Sequence, residues 1–259
     1  EDAISTRRYE HSALMFRSFT VAEFKEALVA DKCSPGVVLD IDETLSATNV
    51  AWFERLTALF GRPAGADDAD LSISELIKKY SLAQHVPHWQ SEEALAWMQN
   101  QRDSLDAQRG LPLVPNAAEG VTRLSKIVPI RGYLTVRPIK VVEPTIEWLQ
   151  QHEQDGFPPA PVICKPNEVP FSDGNKWKAE VLHELFPYIT GIVDDNPKVS
   201  IYAGTKYPGT LFLFSRPESP EGAEHAIPCE TWEKVVEEAT KRKESLCNPT
   251  KGEGSKTIE

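Results

Sequence analysis

The sequence predicts a doubly wound α/β fold, a mostly parallel sheet covered by helices on both faces, with a helical domain inserted into it. Three observations carry this. Five short apolar runs have the composition of fully buried strands, segments of helical period separate several of them, and one gap between runs is far longer than a crossover requires.

The runs are residues 36–41 (GVVLDI), 127–135 (IVPIRGYLT), 161–164 (PVIC), 189–195 (ITGIVDD) and 210–215 (TLFLFS). After the second run, VVEPTIEWLQQH places Val142, Ile146 and Leu149 on one helical face, with Pro144 tolerated in the first turn. After the third, KWKAEVLHELF carries an apolar stripe of Val181, Leu182 and Leu185. Residues 20–31 and 231–242 read as terminal helices. Because each parallel return needs a crossover, strands alternating with helices imply a parallel sheet.

The gap between the first two runs, residues 42–126, is about 85 residues long, whereas a crossover with its strands needs about 30. Within it, ISELIKKYSL and SEEALAWMQNQRDSLDAQ read as helices around the polar loop GRPAGADDADLS. Residues 47–112 are therefore expected to form a helical cap on a Rossmann-like core made of residues 1–46 and 113–245. VPNAAEGVTRLSKI is the ordinary helix leading into the second strand, and residues 246–259 are expected to be a flexible tail.

The 259 residues are 41% hydrophobic and 26% charged with six Trp, the composition of a folded globular chain. A net charge of -11 argues against a nucleic-acid polymer as partner, since such binding needs Lys and Arg to displace counterions. It leaves small anionic substrates open. No apolar run approaches the roughly 20 residues that span a bilayer, so no membrane partner is expected. The expected compartment is the cytoplasm, with an exported form left open because residue 1 is Glu rather than Met. Cys33, Cys164, Cys229 and Cys247 are scattered and read as unpaired buried thiols; a disulfide such as Cys229 with Cys247 is the alternative in an exported protein. Oligomeric state is left open.

In open α/β sheets, ligands bind at the carboxyl ends of the strands. Asp40 and Asp42 follow the first run, Thr135 closes the second, and Asp194 with Asp195 closes the fourth. Any one of these acids could merely cap a helix or start a turn. Together they point to a site. Carboxylates gathered at one edge repel by about 4 kcal/mol per pair at 4 Å and an effective dielectric near 20, so a cation is required. Hard oxygen donors favour Mg²⁺. A carboxylate nucleophile with a second acid two residues later suits phosphoryl transfer.

DIDET, YLT, KAEVL and IVDDNP, in that order over residues 36–215, resemble the four-motif signature of the haloacid dehalogenase superfamily in its phosphatase branch. The resemblance implies that Asp40 is the nucleophile, forming an aspartyl-phosphate. Asp42 would act as general acid and then base, with its main-chain carbonyl on the Mg²⁺. Thr135 would bind phosphoryl oxygens, and Asp195 would ligate the metal with Asp194 as its partner. Dehalogenases of the superfamily lack an acid at the position of Asp42 because halide needs no proton, so the resemblance implies phosphate ester hydrolysis. The motif lysine, which offsets negative charge, is Lys178 by its spacing to Val181 and Leu182, with Lys176 the alternative. Arg137 either reaches the substrate or pins the loop by pairing with a carboxylate. Glu43 is expected to orient the loop.

An inserted cap resembles the mobile caps that close over small substrates, so a small phosphomonoester is expected, whether nucleotide, sugar phosphate or similar. The cap offers Trp52, Phe53, His85, His88, Trp89, Trp97 and Arg102. Two histidines without further ligands read as surface or packing residues rather than a metal site, and the tryptophans as core. The alternatives are a phosphotransferase using the same intermediate and a phospho-ligand binding protein without turnover.

Overall fold

The computed structural model describes residues 15–30, 34–63, 65 and 67–249. Among these the sheet has six strands, β1 (Gly36–Leu39), β2 (Ile130–Pro138), β3 (Val162–Lys165), β4 (Ile189–Asp194), β5 (Thr210–Phe214) and β6 (Ile227–Cys229). Their spatial order is β3-β2-β1-β4-β5-β6 and every pairing is parallel. The chain winds outward from β1 to β3, then returns to the other side of β1 at β4. The reversal therefore falls between β1 and β4, where such sheets open a crevice at their carboxyl edge.

Side chains alternate between two layers, as a strand period of two requires. Val37 and Leu39 pack on one face with α6 (Ala117–Ser125), α7 (Val142–Gln151) and α10 (Trp232–Lys241). Val38 packs on the other with α1 (Val21–Ala30), α8 (Gly174–Leu185) and α9 (Pro197–Ala203). Full burial on both sides explains why β1 carries no polar residue before Asp40. Gly120 lets α10 approach α6, since a Cβ there would lie 2.6 Å from the Trp232 ring.

The inserted segment has a core of its own. Phe53 and Leu56 of α2 (Thr48–Phe60), Leu76 of α3 (Ile73–Tyr80), Trp89, and Ala94 and Met98 of α4 (Glu92–Asp103) are buried together. Ser72 and Glu75 form a reciprocal capping box at the start of α3. Trp89 donates to the Gly61 carbonyl from within this core, and Trp52 and Trp97 meet edge to face. His85 and His88 are exposed and contact the main-chain carbonyls of Tyr80 and Phe60.

Four boundaries differ from expectation. The second strand runs on to Pro138, so Thr135 lies inside it rather than at its end. The sixth strand, Ile227–Cys229, is short and contains Pro228, which is tolerated because β6 is an edge. The single helix expected up to residue 108 breaks at Ser104, whose hydroxyl accepts the Ala107 amide and caps α5 (Leu105–Arg109). That helix lies against α7: Arg109 pairs with Glu147, and Trp148 donates to the Leu111 carbonyl at 2.8 Å. Residues 105–111 thus contact the core helix α7. Finally, the tail does not start at 246. α11 (Lys243–Cys247) buries Leu246 completely, and the Thr190 hydroxyl donates to its carbonyl at 2.7 Å. Residues 250–259 of the expected tail lie outside the described residues.

Cys164, Cys229 and Cys247 are free, and the two buried thiols, Cys164 and Cys229, are pushed up to about 12 by burial. The Cys229–Cys247 disulfide is therefore not formed. Cys33 lies outside the described residues. Among the described residues, no helix is long and apolar enough to cross a membrane.

Among the described residues, Glu238 on α10 is the one buried acid outside the strand ends that gathers several cations. It is 7% exposed and accepts from Lys241 at 2.8 Å, with Lys234 at 3.2 Å and Arg242 beside it. These partners, Lys241 first, hold its carboxyl at about 2, below the ordinary 4.5. A depressed folded-state value stabilises above the unfolded value and is lost as the pH falls through the folded one. Glu238→Gln is expected to cost about 1 kcal/mol at neutral pH, because the surrounding cations are partly solvated. In urea titrations, the gap between variant and wild type should close as the pH falls from 4.5 toward 2. A gap independent of pH would contradict this.

Candidate active site

β1 ends at Leu39, but the Asp40 amide still donates to the Val193 carbonyl at 2.9 Å, so the sheet fixes Asp40 directly. The chain then turns sharply. Ile41 and Leu45 plug into the core, and the Leu45 and Ser46 amides both donate to the Ile41 carbonyl at 2.9 Å. Glu43 takes φ 58°, a left-handed conformation that a non-glycine residue adopts only when its surroundings fix it. Trp232 supports the turn from beneath by donating to the Thr44 carbonyl at 3.2 Å. The turn leads into α2, whose first residues contact it again: the Thr48 hydroxyl donates to Asp42 Oδ1 at 2.6 Å, and the Asn49 amide to Glu43 Oε1 at 2.5 Å. Glu43 thus ties the turn to the cap.

The acids divide into two sets, each with its own cation. In the first, Lys178 is 1% exposed and donates to Asp40 Oδ1 at 2.6 Å and to Asp194 Oδ2 at 2.7 Å. Asp194 also accepts the Asn196 amide at 2.8 Å. Asp40, Asp194 and Asp195 each bring a carboxylate oxygen to within 4.8 Å of the others. Burial works against the charge on Lys178, but Asp194 and Asp40 outweigh it and push its pKa up. Burial raises Asp40 despite Lys178, and raises Asp195 with help from Asp194, Asp40 and Glu43. Glu43 is pushed up to about 7, again mainly by burial.

In the second set, Arg137 grips Asp42 with both prongs of its guanidinium, Nε to Oδ2 at 2.9 Å and one terminal nitrogen to Oδ1 at 2.8 Å. Burial would raise Asp42, but the charge and hydrogen bonds of Arg137, joined by Thr48, outweigh it and hold its carboxyl below the usual range. Arg137 is anchored in turn: its other terminal nitrogen donates to Thr145 Oγ1 at 3.3 Å, and its amide donates to Thr135 Oγ1 at 3.2 Å. Thr135 is completely buried.

All seven residues singled out from the sequence, Asp40, Asp42, Thr135, Arg137, Lys178, Asp194 and Asp195, are brought to the carboxyl edge around β1. Three placements refine the expectation. Lys178 faces the acids, whereas Lys176 is exposed. The side chain of Asp42 stands outside the three-acid group that could hold a metal ion, tied to Arg137. Arg137 is paired with a carboxylate, the second of its two expected roles. Ser46, Thr48 and Thr145, which complete the surroundings of Asp42 and Arg137, were not foreseen, since a hydroxyl near a helix start reads as an ordinary cap.

The three-acid group fits a hard divalent cation. Its donors are all carboxylate oxygens, and one ammonium opposes three acids, two of them buried and Asp195 half-buried, a balance that a cation would complete. The cap reaches the edge of the site from above: Asp103 pairs with Lys140 at 2.5 Å, and Arg102 lies over the Phe171 ring at 4.1 Å.

No protein-family model and no curated protein matches this chain. Among solved structures, it is similar to a dehalogenase with an intermediate complex, at 15% identity over 78% of this chain and 95% of that one, with a TM-score of 0.48. It is also similar to a HAD family hydrolase from Deinococcus radiodurans R1 with bound phosphate and sodium, at 15% identity over 84% and 99% of the two chains, with a TM-score of 0.43.

Proposed function

We propose that this chain is a hydrolase of the haloacid dehalogenase superfamily that cleaves small phosphate monoesters through an aspartyl-phosphate on Asp40, with Mg²⁺ as cofactor. The observation that carries the reading is the division of the site's acids, Asp40 with Asp194 and Asp195 around Lys178, and Asp42 held apart by Arg137. One acid is fixed at a strand end where a nucleophile needs to be rigid. The other lies two residues on, with a separate counter-charge.

Asp40, Asp194 and Asp195 would hold the Mg²⁺, together with the Asp42 main-chain carbonyl. When bound, the ion neutralises phosphate charge and lets an anionic nucleophile approach a dianion. An Asp40 carboxylate oxygen attacks phosphorus, and the bond to the ester oxygen breaks. Asp42, taking up a proton from solvent as the substrate binds, gives it to the departing oxygen. It then takes a proton from water as that water attacks the aspartyl-phosphate, releasing phosphate and restoring Asp40. Thr135 would bind phosphoryl oxygens: its oxygen accepts the Arg137 amide, which leaves its O–H able to donate. Lys178 offsets charge on Asp40 as the phosphoryl group arrives. In the resting chain, Asp42 is held as a carboxylate, so it is ready as the base.

The test is phosphate release from a broad panel of phosphomonoesters with and without Mg²⁺. No release from any member, or release indifferent to chelation, would defeat the proposal. Including acceptor alcohols in the same assay separates hydrolysis from phosphotransfer. Asp42→Asn is expected to slow esters with poor leaving groups by roughly 100-fold and those with good leaving groups far less, because only the former need the proton. Equal losses would remove Asp42 from the acid role.

A further inference from the structure

Arg137 has no counterpart in the chemistry above, yet it is among the most constrained side chains at the site. Its side chain is 4% exposed, and each functional nitrogen has a partner: two on Asp42, one on Thr145, and a further contact to Ser46 Oγ at 3.2 Å. Thr145 is itself fixed by donating to the Val141 carbonyl at 2.8 Å. The backbone of Arg137 meanwhile holds Thr135. A single residue thus contacts two of the groups assigned to the reaction while contacting neither Asp40 nor the other carboxylates.

The electrostatics give this a purpose. Asp42 lies two positions from Asp40 on a tight turn, and a cation bound by Asp40, Asp194 and Asp195 would draw any free carboxylate in reach toward itself. A guanidinium fork gripping both Asp42 oxygens opposes that, and it does so with a defined direction that an ammonium could not impose. We propose that Arg137 is the positioning residue that holds the Asp42 carboxylate in one orientation for proton transfer. The inference rests on the phosphomonoesterase reading, within which it assigns Arg137 a role through Asp42 rather than through substrate.

The test is a double-mutant cycle of Arg137→Gln and Asp42→Asn, with kcat and KM measured on one ester with a poor leaving group and one with a good one. Arg137→Lys is included because it keeps the charge without the fork, and all variants are assayed at a temperature where circular dichroism shows them folded. Arg137→Gln should lower kcat on the poor leaving group by roughly tenfold or more, with KM changed by less than about threefold, and should spare the good leaving group. Arg137→Lys should fall between it and wild type. In the Asp42→Asn background, Arg137→Gln should add almost nothing, since its effect passes through that carboxylate. A rise in KM with kcat intact would overturn the inference by making Arg137 a substrate ligand. Equal losses on both esters, or losses that multiply with those of Asp42→Asn, would overturn it by making the effect a general structural one. Failure of wild type to hydrolyse either ester would overturn the phosphomonoesterase reading itself and this role with it.

Discussion

Lys178→Met is expected to destabilise the metal-free protein by about 3–5 kcal/mol, because it leaves a buried carboxylate set without its counter-charge. The ammonium is 1% exposed and makes two short contacts, to Asp40 and Asp194, with Asp195 close by. Methionine keeps most of the side chain's volume, so little of the loss would come from a cavity. Turnover should fall by roughly 100-fold or more, since the charge that stabilises Asp40 as it receives the phosphoryl group is gone. The two effects separate in thermal melts with EDTA and with Mg²⁺. A divalent cation among Asp40, Asp194 and Asp195 should restore part of the lost Tm in Lys178→Met, and the gain should exceed that of wild type. A variant as stable as wild type in EDTA would mean that the acids are neutral in the resting protein.

Asp40→Asn should have the opposite profile, reducing turnover by roughly 10⁴-fold or more while leaving stability equal or improved. The asparagine cannot form the aspartyl-phosphate. Burial, Asp194 and Asp42 raise the Asp40 pKa against the pull of Lys178, so its ionised form is disfavoured in the folded chain. A raised carboxyl value costs stability as the pH climbs above the ordinary 3.8, and asparagine escapes that cost. Melts in EDTA at neutral pH should therefore place Asp40→Asn at or above wild type. Loss of both activity and stability would mark Asp40 as a structural residue.

The sheet and the site were legible to different depths, for identifiable reasons. β1 and β4 are read easily because burial on both faces makes them predominantly apolar runs that lead into acids. β6 is missed because three residues around Pro228 give no period, and only its edge position makes that proline harmless. The extension of β2 past Thr135 is hidden by Arg137 and Pro138, which look like a loop until Arg137 is seen to have a buried partner. Ser104 reads as an interior helix residue, and its capping role depends on α5 docking against α7.

At the site, the identities of the acids and of Lys178 follow from motif spacing. Their pairing does not. Arg137 and Asp42 stand 95 positions apart, and nothing local says which carboxylate an arginine on a neighbouring strand will take. Thr48 and Thr145 are legible only as helix-start residues, because Thr48 gains its second function from the turn after β1 folding back over the cap's first helix, and Thr145 from Arg137 on the neighbouring strand.

The most direct test of the account is to mix the protein with Mg²⁺ and a phosphomonoester that it turns over, quench in acid within a single turnover, and map the phosphoryl adduct by peptide mass spectrometry. The account predicts an adduct on the peptide containing Asp40, absent in Asp40→Asn. An adduct on any other residue, or phosphate release by Asp40→Asn at the wild-type rate, would contradict it.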